Sequence, residues 1–204
     1  MSKDKKTSHQ RVIDAARQEF LELGYEKASM RSIGKKAGMT QAALYRHFES
    51  KEDMFAKIVE PGINALNKCL EKHEKNSYAF FEDNIKDIES ISNYNVKIFR
   101  NLLYHYRDEF ILIFRCSRGT RFVNFLSIIV EKLKKSTFEA MDYLKSKGYK
   151  VKDVSDDELS LFLRMYLTAI TEPIAKGYTR EKAMHLYHMA EAFFTPGWLA
   201  LLGL

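Results

Sequence analysis

Apolar residues recur three and four positions apart along most of the chain, which is the spacing of one face of an α-helix. The first such segment has a predicted face formed by Ile13, Ala16, Phe20 and Leu23. Thr7 lies before it as a capping residue and Gly24 lies after it, so a helix is predicted between them. Alternating segments, the pattern of half-buried strands, are missing. The pattern therefore predicts an all-α protein.

Two short helices follow in quick succession. The first is predicted from Ser29 to Gly38, because serine caps helix starts and glycine ends them. The second is capped by Thr40 and places Leu44 and Phe48, four apart, on one side. Short helices separated by a tight glycine turn are typical of a helix-turn-helix. We therefore predict a three-helix unit of this kind at the N-terminus.

A fourth helix restarts at Ser50, whose side chain can cap it while Asp53 reaches back. Pro61 is predicted to interrupt or kink this helix, because proline removes a backbone donor and clashes with the preceding turn. We place the domain boundary near this point. Residues 1–55 are predicted to form the helix-turn-helix domain and residues 56–204 a helical domain of their own.

The helices of the second domain are longer and more aromatic. Ser155 and Glu158 form a capping box that opens a helix to Ala175, and Thr179 opens a last helix toward Phe194. The stripe predicted on the first of these two helices comprises Leu159, Phe162, Leu163, Tyr166 and Ile170. Both helices carry more apolar surface than one flank of a monomer core needs. We therefore expect them to pack against a second copy of the chain as a four-helix bundle.

Composition narrows the class of protein. The chain has 204 residues, 46% of them hydrophobic, which suffices for a sizeable core. Cys69 and Cys116 lie far apart, so neither a disulfide framework nor a CxxC zinc site is indicated. No run of about 18 apolar residues occurs, and the N-terminus is charged, so we expect a cytoplasmic protein without a membrane span. The net charge of +6 favours anionic partners, although ordinary soluble surfaces often carry as much.

The outer side of the second short helix is polar and has no evident use inside the chain. When Leu44 and Phe48 pack inward, this side faces away from the core. Such a face fits a DNA major groove, since a small residue permits close approach while polar residues reach base edges or phosphates. The residues of this face are Thr40, Gln41, Ala42, Tyr45, Arg46 and His47.

The stretch FLELGYEKASMRSIGKKAGMTQAALYRHFESKEDMF, residues 20–55, resembles the DNA-binding domain of the tetracycline-repressor (TetR/AcrR) family. The resemblance rests on the GY helix stop, the turn at Gly38, the LYRHF helix and the SKE restart, and it covers roughly the first sixty residues. Ala42 departs from the pattern, because members of the family commonly have glycine there.

The resemblance implies a homodimeric transcriptional repressor that binds double-stranded DNA at a palindromic operator and leaves it when a small, largely apolar effector binds. Ser29 and Lys51 are implied to contact phosphates at helix N-termini. The residues implied to face the groove are Arg31, Thr40, Gln41, Tyr45, Arg46 and His47. The full implied DNA-binding set is Ser29, Arg31, Thr40, Gln41, Ala42, Tyr45, Arg46, His47 and Lys51. Lys3, Lys5 and Lys6 form either a basic arm along the DNA or a solvated tail.

The effector pocket is expected among the middle helices, about residues 93–147, with Pro61 and the helix from Ser50 joining it to the DNA-binding domain. Its candidate lining is aromatic, although aromatic stripes are usually plain core. These candidates are Phe99, Tyr104, Phe110, Phe114, Phe122 and Phe125. The polar side chains considered with them are His105, Arg115, Arg118 and Glu172.

An enzyme finds little support in the sequence. His185 and His188 lie three apart on a predicted helix, but no acidic residue or cysteine accompanies them as a metal ligand. No GxSxG, P-loop or dinucleotide fingerprint occurs, so neither a cofactor nor a metal is expected. The remaining alternative is a helical interaction module that uses its helix-turn-helix for protein contacts.

Overall fold

The computed structural model describes residues 2–83 and 98–203, with side chains for residues 8–72 and 98–203. All regular structure in these ranges is helical, which confirms the predicted all-α class. The helices are α1 (Ser2–Lys27), α2 (Met30–Ala37), α3 (Gln41–Leu44), α4 (Lys51–Asp83), α5 (98–105), α6 (Arg107–Arg115), α7 (Phe125–Ser146), α8 (Asp156–Ala175) and α9 (Arg180–Leu202).

The chain divides into two compact units. Unit 1 comprises Met1–Asn64 and Tyr106–Val123, and unit 2 comprises Ala65–His105 and Asn124–Leu204. The division falls inside α4. The predicted assignment of residues 1–55 and 56–204 to two functional domains stays a prediction.

The predicted helix caps are confirmed at five helix starts. In each case a side-chain hydroxyl accepts a hydrogen bond from the N–H three residues further on, which satisfies a donor that the first turn leaves unpaired. The capping residues are Ser29, Thr40, Ser50, Ser155 and Thr179. In α8 the Glu158 carboxylate also accepts from the Ser155 N–H at 2.8 Å, which completes the predicted capping box.

Three predicted helix boundaries are wrong. The first helix begins at Ser2 rather than after Thr7, because no glycine or proline stops it from extending through the polar N-terminus. Pro61 lies inside α4 and does not interrupt it. Pro61 is exposed, so the Lys57 carbonyl that loses its donor can bond to water. The last helix runs through Pro196 to Leu202 instead of ending near Phe194.

The core of unit 1 forms where α1, α2, α4 and α6 meet. Phe20 of α1 and Phe55 of α4 are fully buried, with ring centres 5.2 Å apart in an edge-to-face arrangement. Arg17 of α1 binds Glu109 of α6 through a 2.7 Å ion pair. A Cβ atom on Gly62 of α4 would lie 3.0 Å from the Glu109 Cβ, so this glycine permits close packing of α4 and α6.

In unit 2, α8 packs between α7 and α9. Leu159, Leu163, Leu167 and Ile170 form the buried side of α8. Phe162, predicted to lie on this stripe, is 40% exposed, because it lies at the edge of the buried side of the helix and not within it. In the described ranges no helix is both long enough and apolar enough to cross a bilayer.

Candidate nucleic-acid interface

The turn between α2 and α3 is built on two glycines. Gly38 has a φ of 68°, in the left-handed region that glycine adopts without strain, and ends α2 as predicted. The Met39 N–H donates to the Gly34 carbonyl at 2.8 Å. A Cβ atom on Gly34 would lie 2.8 Å from the Met39 carbonyl oxygen, so only glycine fits without a shift. Sequence reasoning missed Gly34, although a glycine four residues before a helix-ending glycine is a visible signal.

Two predicted apolar residues anchor this segment, Leu44 at the end of α3 and Phe48 in the turn after it. Leu44 is fully buried and Phe48 is 1% exposed, which confirms that they pack inward. The Phe48 ring stacks on His9 of α1, with ring centres 5.6 Å apart. On another side, Lys57 of α4 places its ammonium 5.2 Å from the centre of the Phe48 ring. Contacts from α1 and α4 therefore fix the orientation of α3.

The polar face of α3 is exposed. Thr40, Gln41, Ala42, Tyr45 and Arg46 are all accessible, and Tyr45 exposes 48% of its surface although it is a large aromatic residue. The helix itself ends at Leu44, because the backbone turns after it. Tyr45 and Arg46 therefore follow the helix end instead of extending its face.

His47 is exposed and lies beside α1. Its ring centre is 6.2 Å from that of His9, in an edge-to-face arrangement. The sequence grouped His47 with the groove-facing residues and gave no sign of this contact, because His9 lies far from it in the chain. This contact places His9, a residue of α1, beside the polar face of α3.

The second helix contributes its N-terminal end to the same unit. Ser29 caps α2 and is exposed, and Arg31 is exposed in the first turn. Lys36 is engaged elsewhere, since its ammonium lies 2.5 Å from Glu22 and 2.9 Å from Glu19 of α1. These hydrogen bonds raise the pKa of the Lys36 ammonium, and the bond to Glu22 has the larger effect.

Lys51 points into the protein. Its ammonium donates to the carbonyls of Tyr25 at 2.8 Å, Ala28 at 3.0 Å and Glu26 at 3.5 Å. It also lies 4.2 Å from the centre of the Tyr25 ring. Burial lowers the pKa of this ammonium. The side chain that the family resemblance assigns to a DNA phosphate is thus bound to the junction of α1 and α2.

The predicted effector-lining residues divide between the two units. Phe110 and Phe114 stack in unit 1 with ring centres 5.8 Å apart, and Phe122 of the same unit lies 6.0 Å from Phe55. In unit 2, Phe125 is buried in α7 and the Tyr104 hydroxyl donates to the Thr179 carbonyl. Phe99 also belongs to unit 2 and is half-buried.

The polar side chains considered with that pocket are on the surface of their units. Arg115 donates to the Leu21 carbonyl at 3.2 Å, and Glu172 pairs with Lys176 of the same helix. His105 and Arg118 are exposed. Within residues 8–72 and 98–203, no three histidine, cysteine or acidic side chains are grouped as metal ligands.

Sequence reasoning missed a buried polar cluster in unit 2. Arg100 is 7% exposed, and its Nη1 lies 3.2 Å from Glu191 Oε1 without the angle of a hydrogen bond. Among the described residues, these two atoms, Arg100 Nε and the Tyr187 hydroxyl have no hydrogen-bond partner. Burial also raises the pKa of nearby Tyr166 to about 12. A single arginine in a helix gives no signal of burial in the sequence.

An apolar cleft of about 390 Å³ lies on α8 and α9. The residues that line it are Phe162, Met165, Phe193, Phe194, Gly197, Trp198 and Leu201. The sequence predicted surplus apolar surface on these helices but not the cleft, because several lining residues follow the point where the last helix was expected to end.

Comparison with known proteins agrees with the geometry of unit 1. The family described as "Bacterial regulatory proteins, tetR family" matches residues 12–58. The uncharacterized HTH-type transcriptional regulator YdgC of Bacillus subtilis (strain 168) is 38% identical over 64 residues, which are 31% of this chain and 33% of YdgC. The match therefore spans a third of that relative's length. The matched family and YdgC are transcriptional regulators, not enzymes.

Two solved structures share the fold over nearly the whole chain. The TetR family transcriptional regulator PfmR from Thermus thermophilus has a TM-score of 0.58 at 20% identity, covering 95% of this chain and 98% of PfmR. A TetR-like transcriptional regulator from Rhodococcus sp. RHA1 has a TM-score of 0.56 at 19% identity, covering 97% of each chain. At these identities the likeness shows the fold alone. This shared fold agrees with the match of residues 12–58 to the tetR family of bacterial regulatory proteins.

Proposed function

We propose that this protein is a sequence-specific DNA-binding transcriptional regulator. The observation that carries the proposal is the division of residues 40–48, which comprise α3 and the turn after it, into a buried and an exposed side. Leu44 and Phe48 are at most 1% exposed, whereas the polar residues around them are accessible. A short helix whose outward face is polar, and whose orientation two other helices fix, has the form needed to enter a major groove.

The exposed residues have separate roles in this proposal. Thr40 and Gln41, at the start of α3, contact base edges, and Ala42 permits the backbone to approach the groove. Tyr45, Arg46 and His47 contact phosphates or bases. Ser29 contacts the DNA backbone beside the start of α2, and Arg31 of the first turn faces the groove. Lys51 completes the set that the family resemblance implies, and its role is considered separately below.

We further propose that the protein acts as a homodimer on a palindromic operator. Support comes from the apolar residues left exposed on α8 and α9, which include Leu161, Phe162, Met165, Met189 and Phe193. Phe162, Met165 and Phe193 line one apolar cleft, and exposed apolar surface of this kind is typical of an interface. Two identical DNA-binding units related by a two-fold axis impose that symmetry on the site.

Regulation by repression and effector release completes the proposal. The polar cluster of Arg100, Tyr187 and Glu191 supports it. Arg100 and Glu191 form an ion pair at 3.2 Å, but the cluster keeps buried polar atoms without hydrogen-bond partners, which a polar group of a ligand can satisfy. The effector is largely apolar and carries one group that donates and accepts hydrogen bonds. It must bind better to the conformation that does not fit the operator, since equal affinity shifts nothing.

Binding to duplex DNA, measured by fluorescence anisotropy against salt concentration, tests the proposal. Each phosphate contact contributes about −0.9 to the slope of log affinity against log salt concentration. Affinity should therefore fall steeply as the salt concentration is raised. Gln41→Ala should relax sequence preference at one or two base pairs, whereas the control Gln18→Ala, an exposed glutamine of α1, should not. Affinity independent of salt, or unchanged preference in Gln41→Ala, would count against the proposal.

A further inference from the structure

The junction between α1 and α2 is held by one lysine of α4. At Gly24 the backbone leaves helical geometry, with a φ of 73°, and a last turn runs through Lys27 before Ser29 caps α2. Three carbonyls of this short junction converge on the Lys51 ammonium, those of Tyr25, Glu26 and Ala28. The end of a helix presents unpaired carbonyls and the negative end of its dipole, which a cation there stabilises.

These three contacts use the hydrogen-bonding capacity of Lys51. An ammonium has three N–H donors, and each has a carbonyl within 3.5 Å. The face of the Tyr25 ring, 4.2 Å away, adds a further attraction for the cation. A phosphate contact would require Lys51 to give up at least one of these bonds. The geometry therefore favours a role inside the protein.

What Lys51 holds in place is the start of α2. Ala28 and Ser29 are the last residues before α2, and Arg31 is the second residue within it. The junction is also held from another side, because the Tyr25 N–H donates to the Cys116 carbonyl at 2.9 Å. Without the ammonium, the Ala28 carbonyl loses its bond to α4, and the N-terminal end of α2 is free to shift.

We propose that Lys51 is a positioning residue that sets where Ser29 and Arg31 meet the DNA, and that it makes no phosphate contact itself. This inference rests on the proposed function. It reverses the role that the family resemblance assigns to this residue. It also predicts that arginine cannot replace lysine, since a planar guanidinium does not direct three N–H groups to three converging carbonyls.

The test uses the full-length protein and a DNA duplex that the wild type selects from a random-sequence pool. Lys51→Met and Lys51→Arg are measured well below their unfolding temperatures, with circular dichroism as a check on folding. Both should bind about tenfold more weakly, the size expected when a neighbouring contact is misplaced. Loss of affinity in Lys51→Arg, which keeps the positive charge, distinguishes positioning from a direct phosphate contact. If either variant does not fold, it is replaced by Lys51→Gln, whose side-chain amide keeps two N–H donors.

A double-mutant cycle separates positioning from general stabilisation. Arg31→Ala should cost less affinity in the Lys51→Met background than in the wild type, because Arg31 is already displaced there. Gln41→Ala, in the other helix, should cost the same in both backgrounds. If Lys51 only stabilises the fold, Lys51→Met should lower the unfolding temperature but leave DNA affinity unchanged. Arg31→Ala should then cost the same affinity in both backgrounds.

Two results would overturn the inference while leaving the proposed function intact. The first is a salt slope reduced by about 0.9 per subunit in Lys51→Met, with Lys51→Arg binding as the wild type does, which would identify a phosphate contact. The second is wild-type affinity in both variants. Failure of the wild type to bind any duplex would instead reject the proposed function.

Discussion

At the residue scale, Gly34 and Gly38 serve the α2–α3 turn in different ways. Gly38 supplies a backbone conformation, since its φ of 68° is strained for other residues and no atom would crowd a side chain there. Gly34 supplies space, since a Cβ atom would lie 2.8 Å from the Met39 carbonyl oxygen. The angle between the two helices depends on both glycines.

Gly34→Ala should therefore destabilise unit 1. Crowding against a backbone carbonyl costs about 1–3 kcal/mol, and the better helix propensity of alanine returns about 1 kcal/mol. We expect a net loss of about 1 kcal/mol or more in urea unfolding. Gly38→Asn is the control, because asparagine tolerates the left-handed conformation and should cost less. Equal stability of Gly34→Ala and the wild type would contradict the close approach.

Asp53 makes the stability of unit 1 depend on pH. The hydrogen bond from Lys57, and then that from the Glu49 N–H, lower the pKa of Asp53 below its ordinary value of 3.8. A lowered folded-state pKa contributes stability above the unfolded value, and this stability is lost as pH falls through the folded value.

Asp53→Asn should accordingly be less stable than the wild type at neutral pH. The difference should narrow as the pH is lowered below 3.8, because the wild-type carboxylate is then protonated as well. Thermal unfolding from pH 7 to pH 2 measures this. Asp157→Asn, which changes an exposed carboxylate at the start of α8, is the comparison. A difference that stays constant with pH would show that the charge of Asp53 is irrelevant.

At the element scale, α1 and α2 are joined by a charged contact at the edge of their apolar core. The Glu19 side chain is 2% exposed, and Lys36 of α2 binds it at 2.9 Å. A buried carboxylate is tolerated in folded proteins when it is paired and hydrogen-bonded. Lys36 thus neutralises a charge that α1 would otherwise bury alone.

Lys36→Met should destabilise unit 1, because removing this partner leaves the buried Glu19 carboxylate without a compensating charge. Its neighbour Lys35→Met, at an exposed position of the same helix, should change stability little. Chemical denaturation of both variants at neutral pH measures the difference. Similar stabilities for the two variants would contradict the contact.

The helices with caps and periodic apolar residues could be predicted from the sequence. Ser29, Thr40, Ser155 and Thr179 all cap as expected, because capping depends on neighbours within three residues. Contacts between distant residues could not be predicted. The carbonyls bound by Lys51 belong to the junction of α1 and α2, far from Lys51 in the sequence, and only the fold brings them together.

At the scale of the whole molecule, the apolar face of α8 and α9 bears on assembly. Phe193 is 74% exposed beside the cleft of these helices. Phe193→Asp should convert a dimer into a monomer in sedimentation equilibrium, because it buries a charge at the proposed interface. Operator affinity should fall about 100-fold or more, since the second DNA-binding unit is no longer linked to the first.

Val123→Asp is the matched control, since Val123 is 55% exposed but belongs to unit 1. It should leave the oligomeric state unchanged. A Phe193→Asp protein that sediments as the wild type does would place the interface elsewhere on the chain.

The helix-turn-helix could be recognised from sequence because its residues are close together in the chain, whereas the polar cluster of unit 2 could not. Phe110, Phe114 and Phe122 looked like neighbours of Phe125, yet the structure assigns them to a different unit. Arg100 and Glu191, which form the polar cluster, are separated by most of unit 2. Aromatic content alone does not distinguish a pocket from a core.

Selection of bound duplexes from a random-sequence pool by the wild-type protein tests the central claim most directly. Two DNA-binding units on one dimer predict a single enriched inverted repeat, with half-site centres about one helical turn or a multiple of it apart. The complex on that site should contain chains in multiples of two. Enrichment of no sequence, or of a site without two-fold symmetry bound by one chain, would contradict the account.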